Sequence, residues 1–108
     1  MVQQRRSIPS HQMTADVVLT GGVQAVFEVT TTPKPVRCGS ANYSIRKSVS
    51  VYNPGPKDIY WGWNDGLLVA NGTPIGRGVE RWFSVSAYAN LYLVLASGTQ
   101  DVRITESG

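Results

Sequence analysis

Short turn sequences interrupt this chain at close intervals, and they constrain its fold more than any other feature. They combine glycine, proline, asparagine and serine at residues 21–22, 53–56, 64–66, 71–74, 76–78 and 97–100. These residue types supply the fixed or positive backbone angles that turns require. The segments between the turns are short, and this spacing is typical of the strands of sandwiches and barrels.

Residues 44–52 form the clearest of these strand segments. One face carries Ile45, Lys47, Val49 and Val51, and the other carries Ser44, Arg46, Ser48 and Ser50. Successive side chains of a strand point to opposite faces, so an apolar face alternates with a polar one. We expect the valine side to face the core and the serine side to face water.

About eight short strands are predicted in total, from nine candidate segments, and no segment has a convincing helical period. The other strand segments are residues 16–20, 23–30, 36–38, 58–63, 67–70, 79–85, 91–96 and 101–105. Residues 31–35 are predicted to be a loop, because proline cannot donate to a ladder. Residues 91–96 are apolar on both sides, which is typical of a central strand. The pattern predicts an antiparallel all-β fold, either a sandwich or a small barrel.

The 108 residues suffice for one domain with its own core. Residues 1–14 are polar, without a strand period, and are predicted to be a flexible N-terminal arm. Residues 15–108 are predicted to form the single β domain. An arm of this kind either frays or becomes ordered on a neighbouring molecule, and the sequence leaves both possibilities open.

The charge of the chain is only mildly basic. Ten basic and seven acidic residues give a net charge of +3, and the basic residues are scattered. This balance is too weak to indicate nucleic-acid binding. No apolar stretch is long enough for a membrane helix, and the N-terminus does not resemble a secretory signal. We therefore expect a soluble protein made in the cytoplasm, with neither nucleic acid nor membrane as partner.

Few residues suit catalysis or metal binding. The chain has one histidine, His11, and one cysteine, Cys38, so a histidine-based triad and a cysteine-rich zinc site are both unsupported. Asp58, Asp65 and Asp101 each lie beside a turn sequence, where carboxylates commonly accept local backbone hydrogen bonds. No glycine-rich phosphate loop is present. We predict that the protein is not an enzyme and holds no cofactor or metal.

The aromatic residues are the most suggestive candidates for binding. Trp61 and Trp63 share one face of their strand and are expected to pack at the edge of the core. Tyr60 and Trp82 lie opposite more apolar faces, which makes them the candidate exposed pair. Exposed aromatic side chains bind protein partners or sugars.

The C-terminal part of the chain carries a series of turn and strand motifs. They are Val-Ser-Val-Tyr-Asn-Pro-Gly-Pro-Lys-Asp-Ile-Tyr-Trp-Gly-Trp at residues 49–63, Asn-Gly-Thr-Pro-Ile at 71–75, Gly-Val-Glu at 78–80, and Leu-Tyr-Leu-Val-Leu-Ala-Ser-Gly-Thr-Gln-Asp-Val-Arg-Ile-Thr-Glu at 91–106. In these motifs the chain resembles small bacteriophage virion proteins, such as capsid decoration (cement) proteins. The resemblance implies a fold of jelly-roll type and a structural role in the virion.

On this basis we expect a homo-oligomer, a trimer or a dimer, that decorates and stabilises the outer surface of the capsid. The implied partner is the major capsid protein, and the implied location is the virion. Arg5 and Arg6 are candidate polar anchors of the arm. Two alternatives remain open: a neck or tail accessory protein of the virion, and a carbohydrate-binding module that uses Tyr60 and Trp82.

Overall fold

In the computed structural model, which describes residues 21–108, the chain forms eight strands and no helix. The strands are β1 (Gly22–Val29), β2 (Lys34–Pro35), β3 (Ser48–Asn53), β4 (Ile59–Gly62), β5 (Thr73–Ile75), β6 (Val79–Ser84), β7 (Tyr92–Val94) and β8 (Gln100–Ser107).

The strands form two sheets of four strands each. Sheet one has the order β1-β8-β3-β6 and sheet two the order β2-β7-β4-β5. Every strand pair is antiparallel, and only β4 and β5 are neighbours both in sequence and in a sheet. The prediction of an antiparallel all-β fold is confirmed, and the described strands form a sandwich of two sheets instead of a barrel.

The core lies between the inward faces of the two sheets. Val49, Val51 and Ile104 of sheet one belong to the same buried cluster as Ile59 and Leu93 of sheet two, and none of the five is more than 1% exposed. Burying each such side chain contributes roughly 1.5–3 kcal/mol. Val49 and Val51 therefore face the core as predicted, whereas Ile45, on the same predicted face, lies before β3 and is 53% exposed.

The polar face of β3 differs from the prediction. Ser48 and Ser50 are only 5% and 3% exposed, although we expected them to face water. β3 is an inner strand, and Ser50 pairs in register with Trp82 of β6 and Thr105 of β8. These larger neighbours cover the small serine from both sides, so an outward-facing residue is nevertheless buried.

Gly21 and Gly22 do not form the predicted turn. Gly21 exchanges two backbone hydrogen bonds of 2.9 Å with Gly108, which extends the pairing of β1 with β8. A two-residue hairpin would need a positive φ at one glycine or both, and within residues 21–108 the glycines with positive φ are Gly55, Gly78 and Gly98. The chain therefore enters β1 as extended backbone. The predicted strand at residues 16–20 and the predicted arm at residues 1–14 lie outside the described residues.

The segment around the two prolines also differs from the prediction. Lys34 and Pro35 form a short strand that pairs with β7, whereas the predicted strand at residues 36–38 does not form. β2 lies at the edge of sheet two, where a proline is tolerated because one side of the strand needs no ladder partner.

Residues 67–70 form turns, not the predicted strand, and the strand lies instead at Thr73–Ile75, part of which was predicted as a turn. Leu67 is buried as a single apolar side chain under its own loop. An apolar residue beside a turn therefore gave a false strand signal. Pro74 is tolerated because β5 is the other edge strand of sheet two.

Candidate binding surfaces

The four residues predicted to bind a partner are not gathered at one place. Arg5 and Arg6 lie outside the described residues. Tyr60 alternates along β4 with Ile59 and Trp61, which belong to or pack against the core, so its side chain faces away from the core on sheet two. Trp82 alternates with the core residue Phe83 on sheet one. Tyr60 and Trp82 thus lie on opposite outer faces of the sandwich.

The outer face of sheet one is a regular surface with exposed apolar side chains. One row across its strands is Trp82, Ser50, Thr105 and Gln24, and the next is Glu80, Tyr52, Arg103 and Val26. Trp82 is 54% exposed and Val26 is 60% exposed. Because the strands fix their backbones, these side chains form a preorganised surface instead of a mobile one.

The edge of sheet one at β1 is open. β1 pairs on one side with β8 and is the terminal strand of its sheet, so its other edge has no strand partner among residues 21–108. Terminal strands present unpaired backbone groups that readily accept a further strand. Glu28 of β1 pairs with Asp101 of β8, and both side chains are exposed, which makes this end of the edge acidic.

Three aromatic rings meet at one end of the core. The Trp61 ring lies 4.8 Å from Phe83 and 5.5 Å from Trp63, and the Trp63 ring lies 6.1 Å from Phe83, all in edge-to-face geometry. Such pairs contribute about 0.5–1.5 kcal/mol each beyond area burial. Trp61 packs against the core as expected, whereas Trp63 is 51% exposed. Trp63 therefore presents a supported aromatic surface to solvent.

A pocket of about 410 Å³, which we call the Trp63 pocket, opens beside this ring. It is lined by Trp61, Gly62, Trp63, Asn64, Leu67, Asn71 and Thr73. Ligand sites commonly have volumes of roughly 300–1,000 Å³ and combine aromatic walls with a few polar groups. The Trp63 pocket has this character.

The loop of residues 64–72 that borders the pocket is held by two kinds of contact. Leu67 is 3% exposed, and a Cβ at Gly62 or Gly72 would come within 2.7 or 2.9 Å of its Cδ1, so the two glycines make room for it. Asn64 Oδ1 accepts from the Gly66 N–H at 2.9 Å, and Asn71 Oδ1 accepts from the Leu68 N–H at 2.7 Å. Each asparagine is thereby fixed in orientation by its own turn.

A buried ion pair lies near the C-terminal end of β8, outside the Trp63 pocket. Arg46 Nη1 donates to Glu106 Oε2 at 2.7 Å, and the two side chains are 0% and 1% exposed. The guanidinium also donates to the carbonyl oxygens of Val36, Ser86 and Ala89. Both charged groups therefore have hydrogen-bond partners, and a buried ion pair requires such partners to offset its desolvation. Sequence reasoning placed Arg46 toward water and missed this pair.

The Glu106 carboxylate also holds the loop before β3. It accepts from the Cys38 N–H at 2.7 Å and from the Tyr43 N–H at 3.0 Å. Burial raises the pKa of Glu106, but these two backbone donors and the Arg46 guanidinium outweigh burial and lower the pKa below its ordinary value of 4.5. Glu106 is therefore an ionised structural anchor.

Cys38 is a free, partly buried thiol. Burial, together with the negative charge of Glu106, raises its pKa from 9.0 to about 11. Its Sγ donates to the Val23 carbonyl at 3.4 Å. A thiol of this kind is unreactive at neutral pH, because the thiolate is the nucleophile.

The three aspartates that lie beside turn sequences are not brought together in the fold. Asp58, Asp65 and Asp101 are all exposed, and within residues 21–108 none of them accepts the predicted local hydrogen bond. The turn bonds are made instead by Asn53 and Asn64, whose Oδ1 atoms accept from Gly55 and Gly66. In the described part of the chain no group of three or more acidic, histidine or cysteine side chains is placed to hold a metal ion.

No protein-family model matches the sequence, and no curated protein matches it. Among solved structures, the chain is similar to one from the Bacillus endospore appendages, described as a novel family of disulfide-linked pili. The two are 12% identical, the match covers 92% of this chain and 96% of that chain, and the TM-score is 0.45. A likeness of this size carries no argument about function. Residues 21–108 contain no helix of the length and apolarity needed to span a membrane.

Proposed function

We propose that this protein is a non-enzymatic structural protein that binds the outer surface of a phage capsid and stabilises it. The observation that carries the proposal is the outer face of sheet one, where Trp82 and Val26 are more than half exposed on a rigid sheet. Residues 48–106 resemble virion accessory proteins. This resemblance is the reason for proposing a phage capsid as the partner and a jelly-roll connection of the strands.

The outer face of sheet one has the composition of a protein-binding surface. Tryptophan, tyrosine and arginine dominate binding energy at interfaces, and here Trp82, Tyr52 and Arg103 share one face. The charged Glu80 and Arg103 occupy the same row as Tyr52 and can form the polar rim. A capsid subunit that covers this face would bury the Trp82 ring.

The open edge at β1 supports self-association. Gly21 continues the pairing of β1 with β8 through two backbone hydrogen bonds with Gly108. In the proposed homo-oligomer, a trimer or a dimer, the arm of one copy pairs with the β1 edge of the next. Arg5 and Arg6 would then meet the acidic Glu28–Asp101 pair, and many weak contacts on one shell would add up through effective concentration.

Co-sedimentation of the purified protein with undecorated capsids tests this proposal. We expect Trp82→Ala, and deletion of residues 1–14, each to lower the number of copies bound per particle while the melting temperature stays unchanged. Tyr88→Ala is the matched control, because Tyr88 is 98% exposed but lies outside the outer face of sheet one. Wild-type occupancy for both variants would contradict the proposal.

A neck or tail accessory protein is the alternative within the virion. Copy number separates the two roles, since decoration of a shell requires hundreds of copies and a ring takes about a dozen or fewer. Mass spectrometry of intact particles gives this number directly.

A carbohydrate-binding module built on Tyr60 and Trp82 was the alternative from another class. The two side chains point away from the core on different sheets, so they cannot contact one sugar together. Nothing in the placement of this pair favours that alternative.

A further inference from the structure

We propose that the Trp63 pocket binds a neutral saccharide, an activity beyond the structural role proposed above. The site uses Trp63, Asn64 and Asn71, none of which was a predicted binding residue. Three features of the pocket support this ligand class: its aromatic wall, its hydrogen-bond donors and its lack of charge.

The aromatic wall is the exposed part of Trp63. Its ring packs against Trp61 and Phe83, which meet it at interplanar angles of 79° and 88°. About half of the side chain remains exposed to solvent. An aromatic ring that is held in place and half exposed offers an apolar face on which the C–H face of a sugar ring can stack.

The donors are the amide groups of the two asparagines. Asn64 and Asn71 use Oδ1 to close their own turns, and within residues 21–108 Nδ2 of neither side chain has a hydrogen-bond acceptor. These groups need oxygen atoms as partners, and the hydroxyl groups of a sugar provide them.

None of the residues within 21–108 that line the pocket is charged. Its polar members are asparagine and threonine, and its apolar members are tryptophan and leucine. A phosphate or a carboxylate would be desolvated here without a cation to pair with it. A neutral ligand with many hydroxyl groups fits better than a nucleotide or an acidic peptide.

The pocket is also formed before any ligand binds. Leu67, packed into the room left by Gly62 and Gly72, anchors the loop against sheet two, and the turn bonds fix both asparagines. Binding then costs less conformational entropy. This matters for a sugar, because its small contact area provides little binding energy to offset such a cost.

Titration of the full chain with neutral saccharides tests the proposal. The probes are glucose, galactose, mannose, N-acetylglucosamine and their short oligomers, each up to about 10 mM, a range that saturates a site with a Kd near 1 mM. We expect at least one of them to give a saturable heat signal in calorimetry and a saturable change in tryptophan fluorescence.

The variants assign the site. Trp63→Ala removes the stacking surface, and Asn71→Asp keeps the oxygen that accepts from Leu68 while it replaces the free donor. We expect each to weaken binding about tenfold or more in calorimetry, with unfolding midpoints showing that both remain folded. Trp82→Ala, a tryptophan of similar exposure on the other sheet, is the control and should bind as the wild type does.

Two results would overturn the proposal. One is the absence of saturable binding by every saccharide of the panel at the highest concentration. The other is binding that Trp82→Ala abolishes and that Trp63→Ala and Asn71→Asp leave intact. Neither result bears on capsid decoration, which uses the opposite sheet and is measured by co-sedimentation.

Discussion

Arg46 and Glu106 form a buried ion pair of 2.7 Å that ties the loop before β3 to the end of β8. The pair is not isolated, because Glu106 also accepts from the backbone of Cys38 and Tyr43. Arg46 completes the arrangement by donating to the carbonyl oxygens of three further residues. A loop without regular secondary structure is thereby held to the sandwich by two side chains.

Removal of one partner of this pair should destabilise the protein strongly. We expect Arg46→Met or Glu106→Gln to lower the free energy of unfolding by about 3–5 kcal/mol, because the remaining group stays buried without its partner. The double variant should lose less than the sum of the two single losses. Urea unfolding of all four proteins measures this, and additive losses would show that the two groups do not stabilise each other.

Stability should fall in acid, and Glu106 should account for part of the fall. Its pKa in the folded protein lies below the ordinary value of 4.5, so the folded state favours the ionised carboxylate. The stability that this ionisation contributes is fully present above pH 4.5 and is lost as the pH falls through the folded pKa. Unfolding free energies measured from about pH 7 to pH 3 should therefore converge for wild type and Glu106→Gln. A constant difference between the two curves would contradict this assignment.

Cys38 should resist alkylation in the folded protein. Burial and the charge of Glu106 raise its pKa from 9.0 to about 11, so the thiolate fraction at a given pH is roughly a hundred times smaller than for an ordinary cysteine. We expect iodoacetamide at about pH 8 to react at least ten times more slowly with the folded chain than with the chain in guanidinium chloride. Equal rates in a folded sample would show that the thiol is accessible and ionises normally.

Period-two alternation predicted the core faces of the long strands because both sheets bury one face. Val49 and Val51 follow the pattern, and Val102 and Ile104 of β8 alternate in the same way, whereas Ile45 precedes β3 and does not. The same alternation places Glu106 inward, and a buried carboxylate requires a partner, so the sequence held a signal for the ion pair. The partner could not be identified, because Arg46 is 60 residues away and its position depends on how a loop closes.

The Trp63 pocket could not be predicted for a similar reason. Trp63 was expected to pack beside Trp61, and the alternation does not show that β4 ends at Gly62, one residue before Trp63. The adjacent loop was partly predicted as a strand because Leu67 is apolar. Its burial depends on a close approach to Gly62 and Gly72, which lie on either side of it in the same short segment and surround it only because the loop folds back.

A buried amide network near the turn after β3 should also contribute to stability. The Asn53 side chain is fully buried and donates to the carbonyls of Lys57 and Ile75, while its Oδ1 accepts from Gly55 and Gln100. Asn53→Ala would leave the Gly55 N–H and the Ile75 carbonyl without their partner in this network, and each unsatisfied buried group costs about 1–3 kcal/mol. We expect a total loss of about 3 kcal/mol or more, measured by urea unfolding.

Gln100→Ala provides a comparison within the same network. Gln100 contacts Asn53 and the backbone of Lys57, so its loss should be coupled to that of Asn53. The double variant should be less unstable than the two single losses predict. Additive losses would show that the two amides act separately.

Close packing at Gly62 should make this position intolerant of a side chain only while Leu67 is present. A Cβ at residue 62 would lie 2.7 Å from Leu67 Cδ1, and its other close neighbours also belong to the Leu67 side chain. Gly62→Ala should therefore cost about 1–3 kcal/mol through overpacking. In a Leu67→Ala background the same substitution should cost at least about 1 kcal/mol less, because the clash is gone. Urea unfolding of the four proteins gives the coupling, and an equal cost in both backgrounds would mean that the Gly62 backbone, and not its contact with Leu67, requires glycine.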